Sequence, residues 1–296
     1  MRLLVIGHSV EDHIHLKDRE EVKPGGIFYS VLGLKSFLDE KDQIFLLTSM
    51  EKETESLFSP LYEGLKKDYF QYKGRIPRVN LYLPDNAERC ENYENLAESL
   101  EPQVIKELNS FDGILVNMIT GFDLRLDDLK VLRKNFQGTI YLDVHTLSRG
   151  LGENNQREFR PVPMAVEWMH AVDIVQVNEN ELRTLSSKES ETEIALEVLK
   201  CGLKCLIVTK GEFGSKIYSL ENGELISYFQ SAIKINCVNK VGCGDIFGAV
   251  FLTSYLKNKS LTEAARISNT AAGVTAGYKD IKEFTKLKDD TFARFN

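Results

Sequence analysis

Asn239-Lys240-Val241-Gly242-Cys243-Gly244-Asp245-Ile246-Phe247-Gly248-Ala249-Val250-Phe251 is the stretch on which the reading of this chain turns. It opens as a Gly-x-Gly-Asp turn and runs into a segment at helical spacing, marked by Phe247, Val250, Phe251, Ser254 and Tyr255. The two glycines let the backbone bend tightly and expose consecutive N–H groups. At the start of a helix such groups lack intrahelical acceptors and carry the positive end of the helix dipole, which makes an anion site. Asp245 falls within the same first turn. A carboxylate beside an anion hole makes sense where phosphate charge and a proton acceptor must meet at one point, as in phosphoryl transfer to a hydroxyl. Taken alone, the motif also fits a plain loop-to-helix junction with Asp245 as an ordinary first-turn residue, because short Gly-rich motifs are common.

The rest of the chain narrows the choice. Its 296 residues suffice for one large α/β domain or two small ones, either with a substantial core. A net charge of −7 advertises no basic face, so neither nucleic acid nor an anionic membrane is expected as a partner. No apolar run approaches the roughly 20 residues that span a bilayer. The chain starts directly on a strand, Leu3-Leu4-Val5-Ile6, without the apolar core of a signal peptide. The five cysteines (Cys90, Cys201, Cys205, Cys237 and Cys243) show no metal-like pairing; Cys201 and Cys205 read as core thiols, and a cytoplasmic location is expected. The histidines (His8, His13, His15, His145 and His170) have no zinc-ligand spacing. There is no Gly-x-x-x-x-Gly-Lys-Ser/Thr and no Gly-x-Gly-x-x-Gly after the first strand, which excludes a P-loop kinase and speaks against a nicotinamide dehydrogenase.

Strands and helices alternate along the chain. Strands are expected at 3–7, 44–48, 113–118, 139–144, 174–177 and 206–209, with helices from about 27, around 57–65, and near 101–109, 124–135, 163–171 and 189–202. Residues 69–73 and 79–83 alternate and read as a hairpin. A second hairpin, 214–220 with 224–229, turns at Asn222-Gly223, and the last two helices run over roughly 243–257 and 261–277. Strands separated by helices imply a mostly parallel sheet covered on both faces.

Several short motifs stand in one order. Gly7-His8-Ser9-Val10-Glu11-Asp12 follows the first strand, and Gly25-Gly26 opens a helix. Asn178-Glu179-Asn180-Glu181 and Val208-Thr209-Lys210-Gly211-Glu212-Phe213-Gly214 come later, then the Gly-x-Gly-Asp stretch and the small-residue helix Ser268-Asn269-Thr270-Ala271-Ala272-Gly273. In this order and spacing, over residues 3 to about 278, the chain resembles the ribokinase/PfkB family of small-molecule kinases. The resemblance implies a ribokinase-like three-layer α/β/α fold with a mostly parallel central sheet and a small β lid. It implies a single domain over 1–296, with lid strands at approximately 13–24 and 69–85 and Phe70, Tyr72 and Tyr82 available to cover a ring.

It also implies roles. Asp245 takes the proton from an acceptor hydroxyl, and Gly242, Cys243 and Gly244 offer N–H groups to the transferring phosphoryl of ATP. Asp12, Gly25, Gly26 and Ser30 belong to the acceptor site; Asp12 would also serve as a cap, and the two glycines as a plain turn after Pro24. Asn178 and Glu181 hold Mg²⁺ through waters, although the same pair spells a capping box. Asn178 also, with Thr209, Gly211, Gly214 and Asn269, lines the nucleotide path, the glycines equally suiting a hairpin. Arg149, after Asp143, either touches a phosphate or acceptor or is a surface loop arginine. The sequence departs from the family in Asn239 for Asp, Ser30 for Asn and Cys243 for Ala, which points to an acceptor other than simply ribose. Sugar, polyol, nucleoside and phosphosugar acceptors stay open, as does a homodimer through the lid. The competing function is a sugar- or nucleotide-binding protein of this fold without chemistry.

Overall fold

A computed structural model gives the structure of residues 1–15, 19–72, 74–82 and 90–295, with the backbone alone for Cys90 and Asn154. Nine strands form the central sheet. In chain order they are β1 (Arg2–Ile6), β4 (Gln43–Met50), β5 (Phe70–Tyr72), β8 (Gly113–Asn117), β9 (Thr139–Asp143), β12 (Ile174–Asn178), β13 (Cys205–Thr209), β14 (Gly214–Glu221) and β15 (Glu224–Ser231). Their spatial order is β15-β14-β13-β12-β9-β8-β1-β4-β5. Neighbours from β13 to β5 pair in parallel, and the β14–β15 hairpin adds an antiparallel edge. Asn222 and Gly223 both take positive φ, 51° and 84°, as a two-residue hairpin turn requires.

Alternation along each buried strand feeds two cores. Leu3 and Val5 point to one face, where α1 (Phe28–Phe37), α6 (Cys243–Asn258), α7 (Leu261–Ala276) and α8 (Leu287–Phe292) pack. Leu4 and Ile6 point to the other, under α2 (Leu126–Asn135), α3 (Ala165–His170), the short α4 (Glu179–Leu182) and α5 (Glu191–Leu199). All four residues are fully buried, so the strand reads as an unbroken apolar run rather than an alternating one. The result is three layers.

A second sheet, ordered β3-β2-β6-β7, is built from β2 (Ser9–His15), β3 (Glu20–Gly26), β6 (Arg78–Tyr82) and β7 (Cys90–Asn95). Val10, Ile14, Val79, Leu81 and Tyr93 are its buried apolar residues. A two-stranded ribbon, β10 (Arg149–Leu151) with β11 (Arg157–Phe159), stands beside β7. Among the described residues no helix is long and apolar enough to cross a membrane.

Four expectations need correction. Residues 70–72 and 78–82 do not form a hairpin: β5 pairs in parallel with β4 in the main sheet, whereas β6 pairs with β2 and β7. Alternation predicts a strand but not its partner. Phe70, Tyr72 and Tyr82 are not among the described residues lining the pocket that holds Asp12 and Asp245; Tyr82 stacks on His15 with ring centroids 4.6 Å apart. The helix around 57–65 is a 3₁₀ turn, Glu55–Phe58, followed by turns, because Pro60 brings no N–H donor. The helix near 101–109 is two 3₁₀ turns, Pro102–Val104 and Leu108–Ser110, with the Ser110 hydroxyl donating to the Glu107 carbonyl at 2.6 Å in competition with helical bonding. Residues 16–18, 73 and 83–85 of the expected lid strands lie outside the described residues.

Candidate active site

The chain leaves β1 toward β4 on one side and reaches β8 on the other. Open parallel sheets bind ligands at such a switch, outside the carboxyl ends of the strands. A pocket lies there. Asp12 of β2, Gly26, Tyr29 of α1, Glu91 and Tyr93 of β7, His145, Gly242 and Asp245 all line it.

Backbone geometry explains the glycines. Gly242 takes φ +79° as the residue capping α6, and a Cβ there would stand 2.3 Å from Tyr29 Cγ. Gly26 takes φ +65°, and its Cβ would meet the His8 carbonyl at 2.1 Å. Gly25 lies against Asp12, whose Oδ2 would be 2.1 Å from an added Cβ. Asp245 and Gly26 thus share one pocket, with Gly25 packed against Asp12.

Asn117, the last residue of β8, was not legible as a site residue. Its Nδ2 donates to Asp245 Oδ1 at 2.6 Å and reaches Ser30 Oγ at 3.2 Å. Ser30 is fully buried and stands behind Asn117 rather than in the pocket lining, which corrects its placement in the acceptor site. The N–H of Cys243 makes only a long bond within the turn, to Lys240 O at 3.4 Å. Burial, then the charges nearby, pushes the Cys243 thiol up to about 12, so it stays protonated. Tyr29 is likewise pushed up to about 12, first by burial and then by the carboxylates of Asp12 and Asp245.

Arg149 is no surface loop residue. Its Nη1 stands 3.4 Å from Glu91 Oε1, with side chains only 10% and 2% exposed, and its guanidinium lies 4.6 Å from the centre of the Phe159 ring. It therefore sits one side chain behind the pocket, through Glu91. The buried Arg157 stacks on Tyr93 at 4.5 Å, and Tyr93 donates to the Ile119 carbonyl at 3.0 Å. Glu91 and Tyr93 went unread because β7, Cys-Glu-Asn-Tyr-Glu-Asn, has no apolar periodicity.

Of the remaining predicted residues, Asn178 and Thr209 end β12 and β13, Gly214 opens β14 and Asn269 lies in α7. Asn178 Oδ1 accepts from the N–H groups of Asn180 and Glu181, both at 2.9 Å. Glu181 returns the bond, Oε2 accepting from Asn178 N at 2.9 Å and Oε1 from Asn178 Nδ2 at 2.8 Å. The capping box is built, and since both Glu181 oxygens are engaged, direct metal ligation by this pair would dismantle it; contact through water fits. Near it, the buried Asp143 carboxyl lies well above the usual range because of desolvation first, then the charges of Glu181 and Asp245. Thr209 donates to Val177 O at 3.3 Å, and Gly211 (φ +53°) has open space around its Cα. Gly214 (φ +119°) is required by the hairpin, as a Cβ would meet the Gln230 carbonyl at 2.0 Å. Asn269 is buried and donates to Ser231 O at 2.9 Å.

Comparison with known proteins adds to this geometry. Residues 130–285 match the family model described as pfkB family carbohydrate kinase. Fructokinase-1 of Oryza sativa subsp. japonica is 32% identical over 121 residues, 38% of this chain and 36% of that protein. Ribokinase of Arabidopsis thaliana is 30% identical over 122 residues, 40% of this chain and 32% of that one. The matched segment thus spans about a third of these relatives' length. Among solved structures, ribokinase from Thermotoga maritima aligns with a TM-score of 0.76 at 17% identity, covering 99% of this chain and 98% of that one. A pyrophosphate-dependent kinase in the ribokinase family, complexed with a pyrophosphate analog and myo-inositol, gives 0.75 at 18% identity over 94% and 96%. Arabidopsis thaliana ribokinase complexed with ribose and ATP gives 0.72 at 18% over 97% and 98%. At these identities the structures establish the ribokinase fold.

Proposed function

This chain belongs to the PfkB family of carbohydrate kinases, and from that premise we propose that it transfers a phosphoryl group from ATP to a hydroxyl of a small, uncharged sugar or polyol. The observation that carries the proposal is the meeting of Asp12 and Asp245 in one pocket, with Asp245 in the first turn of α6. Asp245 accepts the hydroxyl proton while Asn117 orients its carboxylate. The glycine turn and the dipole of α6 face the charge that develops on the phosphoryl group. Asn178 and Glu181 would hold Mg²⁺ through its water ligands, and the ion bound with ATP would neutralise phosphate charge. The chain acts as one domain, whose four-stranded sheet closes over the acceptor and excludes water.

The lining argues for the acceptor's charge. Asp12 and Asp245 contribute two carboxylates, Glu91 being paired with Arg149, and no lysine or arginine lines the pocket among the described residues. A phosphorylated acceptor would meet like charge there, whereas a polyol can donate hydroxyl protons to carboxylates. Asp12→Ala is therefore expected to weaken acceptor binding by about 1–3 kcal/mol while ATP binding changes little. Calorimetry with the preferred acceptor is the check, and unchanged acceptor affinity would rule the assignment out. The solved relatives include an ATP-bound enzyme and pyrophosphate-dependent ones, so the acceptor screen should offer both donors.

Asn239 also has a consequence for cations. Its Oδ1 accepts from Val241 N at 3.0 Å, so a neutral amide caps the turn where the family resemblance implies a carboxylate. A neutral group attracts a monovalent ion less strongly. Turnover at matched ionic strength is expected to be nearly equal in K⁺ and Na⁺; several-fold activation specific to K⁺ would contradict this.

A further inference from the structure

The turn that carries Asp245 is held from the sheet side by a buried relay. Gln176 of β12 is 3% exposed, between apolar neighbours Val175 and Val177 that are fully buried. Its Nε2 donates to Gly244 O at 3.1 Å and to Asp143 Oδ2 at 3.2 Å. Its Oε1 accepts from the Tyr141 hydroxyl at 2.6 Å. Tyr141 is fully buried, and desolvation keeps that hydroxyl protonated, so it stays a donor. The opposite orientation of the amide would set its oxygen against a carbonyl, so the partners fix the orientation shown.

The helix is shaped to receive this amide. Gly248 lies one turn beyond Gly244, and a Cβ there would come within 3.0 Å of Gln176 Oε1 and 3.3 Å of Tyr141 Cε1. An apolar side chain at 176 would avoid the cost of burying an amide. What the amide adds is a second hydrogen bond to a carbonyl in the first turn of α6, immediately before Asp245.

Resting on the phosphotransfer reading, we propose that Gln176 is a positioning residue. By pinning Gly244 it sets where Asp245 and the turn stand relative to the pocket. Asn117 holds the Asp245 carboxylate directly, so two amides from two different strands bracket the base. A displacement of about 1 Å in a reacting group is enough to cost roughly 10²-fold in rate.

The test compares Gln176→Met, Gly248→Ala and Tyr141→Phe with the parent protein, reading steady-state kinetics and amide hydrogen exchange over residues 242–246. Gln176→Met removes the tether at similar length, and kcat is expected to fall about 10- to 100-fold with KM values within about twofold. Exchange over 242–246 should become faster. Gly248→Ala presses on the same amide from the helix and should shift both readouts in the same direction. Tyr141→Phe leaves the Gly244 bond in place and should cost at most about fivefold. A parental kcat in Gln176→Met would overturn the inference, as would a kcat loss with unchanged exchange over 242–246. Should Gln176→Met fail to fold, Gly248→Ala decides by the same two readouts. If the parent phosphorylates no acceptor, the phosphotransfer reading fails, while exchange still decides whether Gln176 tethers the turn.

Discussion

Asp245→Asn is expected to lower kcat by about 10²–10⁴ while leaving the fold and ATP affinity nearly unchanged. The substitution is close to isosteric, and Asn117 Nδ2, now 2.6 Å from Asp245 Oδ1, would still find an amide oxygen there. What disappears is the proton acceptor. An amide cannot take the proton of an attacking hydroxyl, so the loss belongs in kcat rather than in KM. Single-turnover kinetics with saturating acceptor would separate this from slow product release. Turnover within a few-fold of the parent would make Asp245 an ordinary first-turn residue of α6.

Gly242→Ala should be nearly as damaging for a different reason. The residue takes φ +79°, where an L side chain costs about 1–2 kcal/mol, and its Cβ would stand 2.3–2.8 Å from Tyr29 Cγ, Cδ1 and Cβ. Because Tyr29 Cβ is among those atoms, rotating the ring gives no relief, and the turn or α1 must move. The expected result is a fall in kcat/KM of at least about 10² together with a melting temperature lower by about 2–8 °C. Thermal denaturation and kinetics on the same preparation read both. A parental kcat/KM would mean that the turn's position does not matter to the chemistry.

The parts of this site that are local in sequence could be read from it. A Gly-x-Gly-Asp turn and the helical spacing after it lie within one stretch, and Asp12 follows its strand at a short, fixed offset. The capping box of Asn178 and Glu181 was equally legible because all its partners lie within three residues. Asn117 and Gln176 were not legible. Each is a single amide in an apolar strand, and its significance depends on Asp245 or Gly244, more than 60 residues away in the chain, as the separations of 128 and 68 show. Arg149 and Glu91 meet only because β10 packs beside the second sheet, and the polar β7 offered no pattern to read. Alternation showed that 70–72 and 78–82 are strands, yet pairing is settled by which sheet has an edge to offer, which is a property of the fold.

The most direct test of phosphoryl transfer to a neutral hydroxyl is mass spectrometry of the acceptor itself. The purified chain is incubated with ATP, Mg²⁺ and a panel of unphosphorylated sugars and polyols beside their phosphorylated counterparts. The account predicts a monophosphate product from one or more of the neutral acceptors, little or none from the phosphorylated ones, and its near disappearance with Asp245→Asn. No phosphorylated product from any acceptor, or equal product from Asp245→Asn, would contradict it.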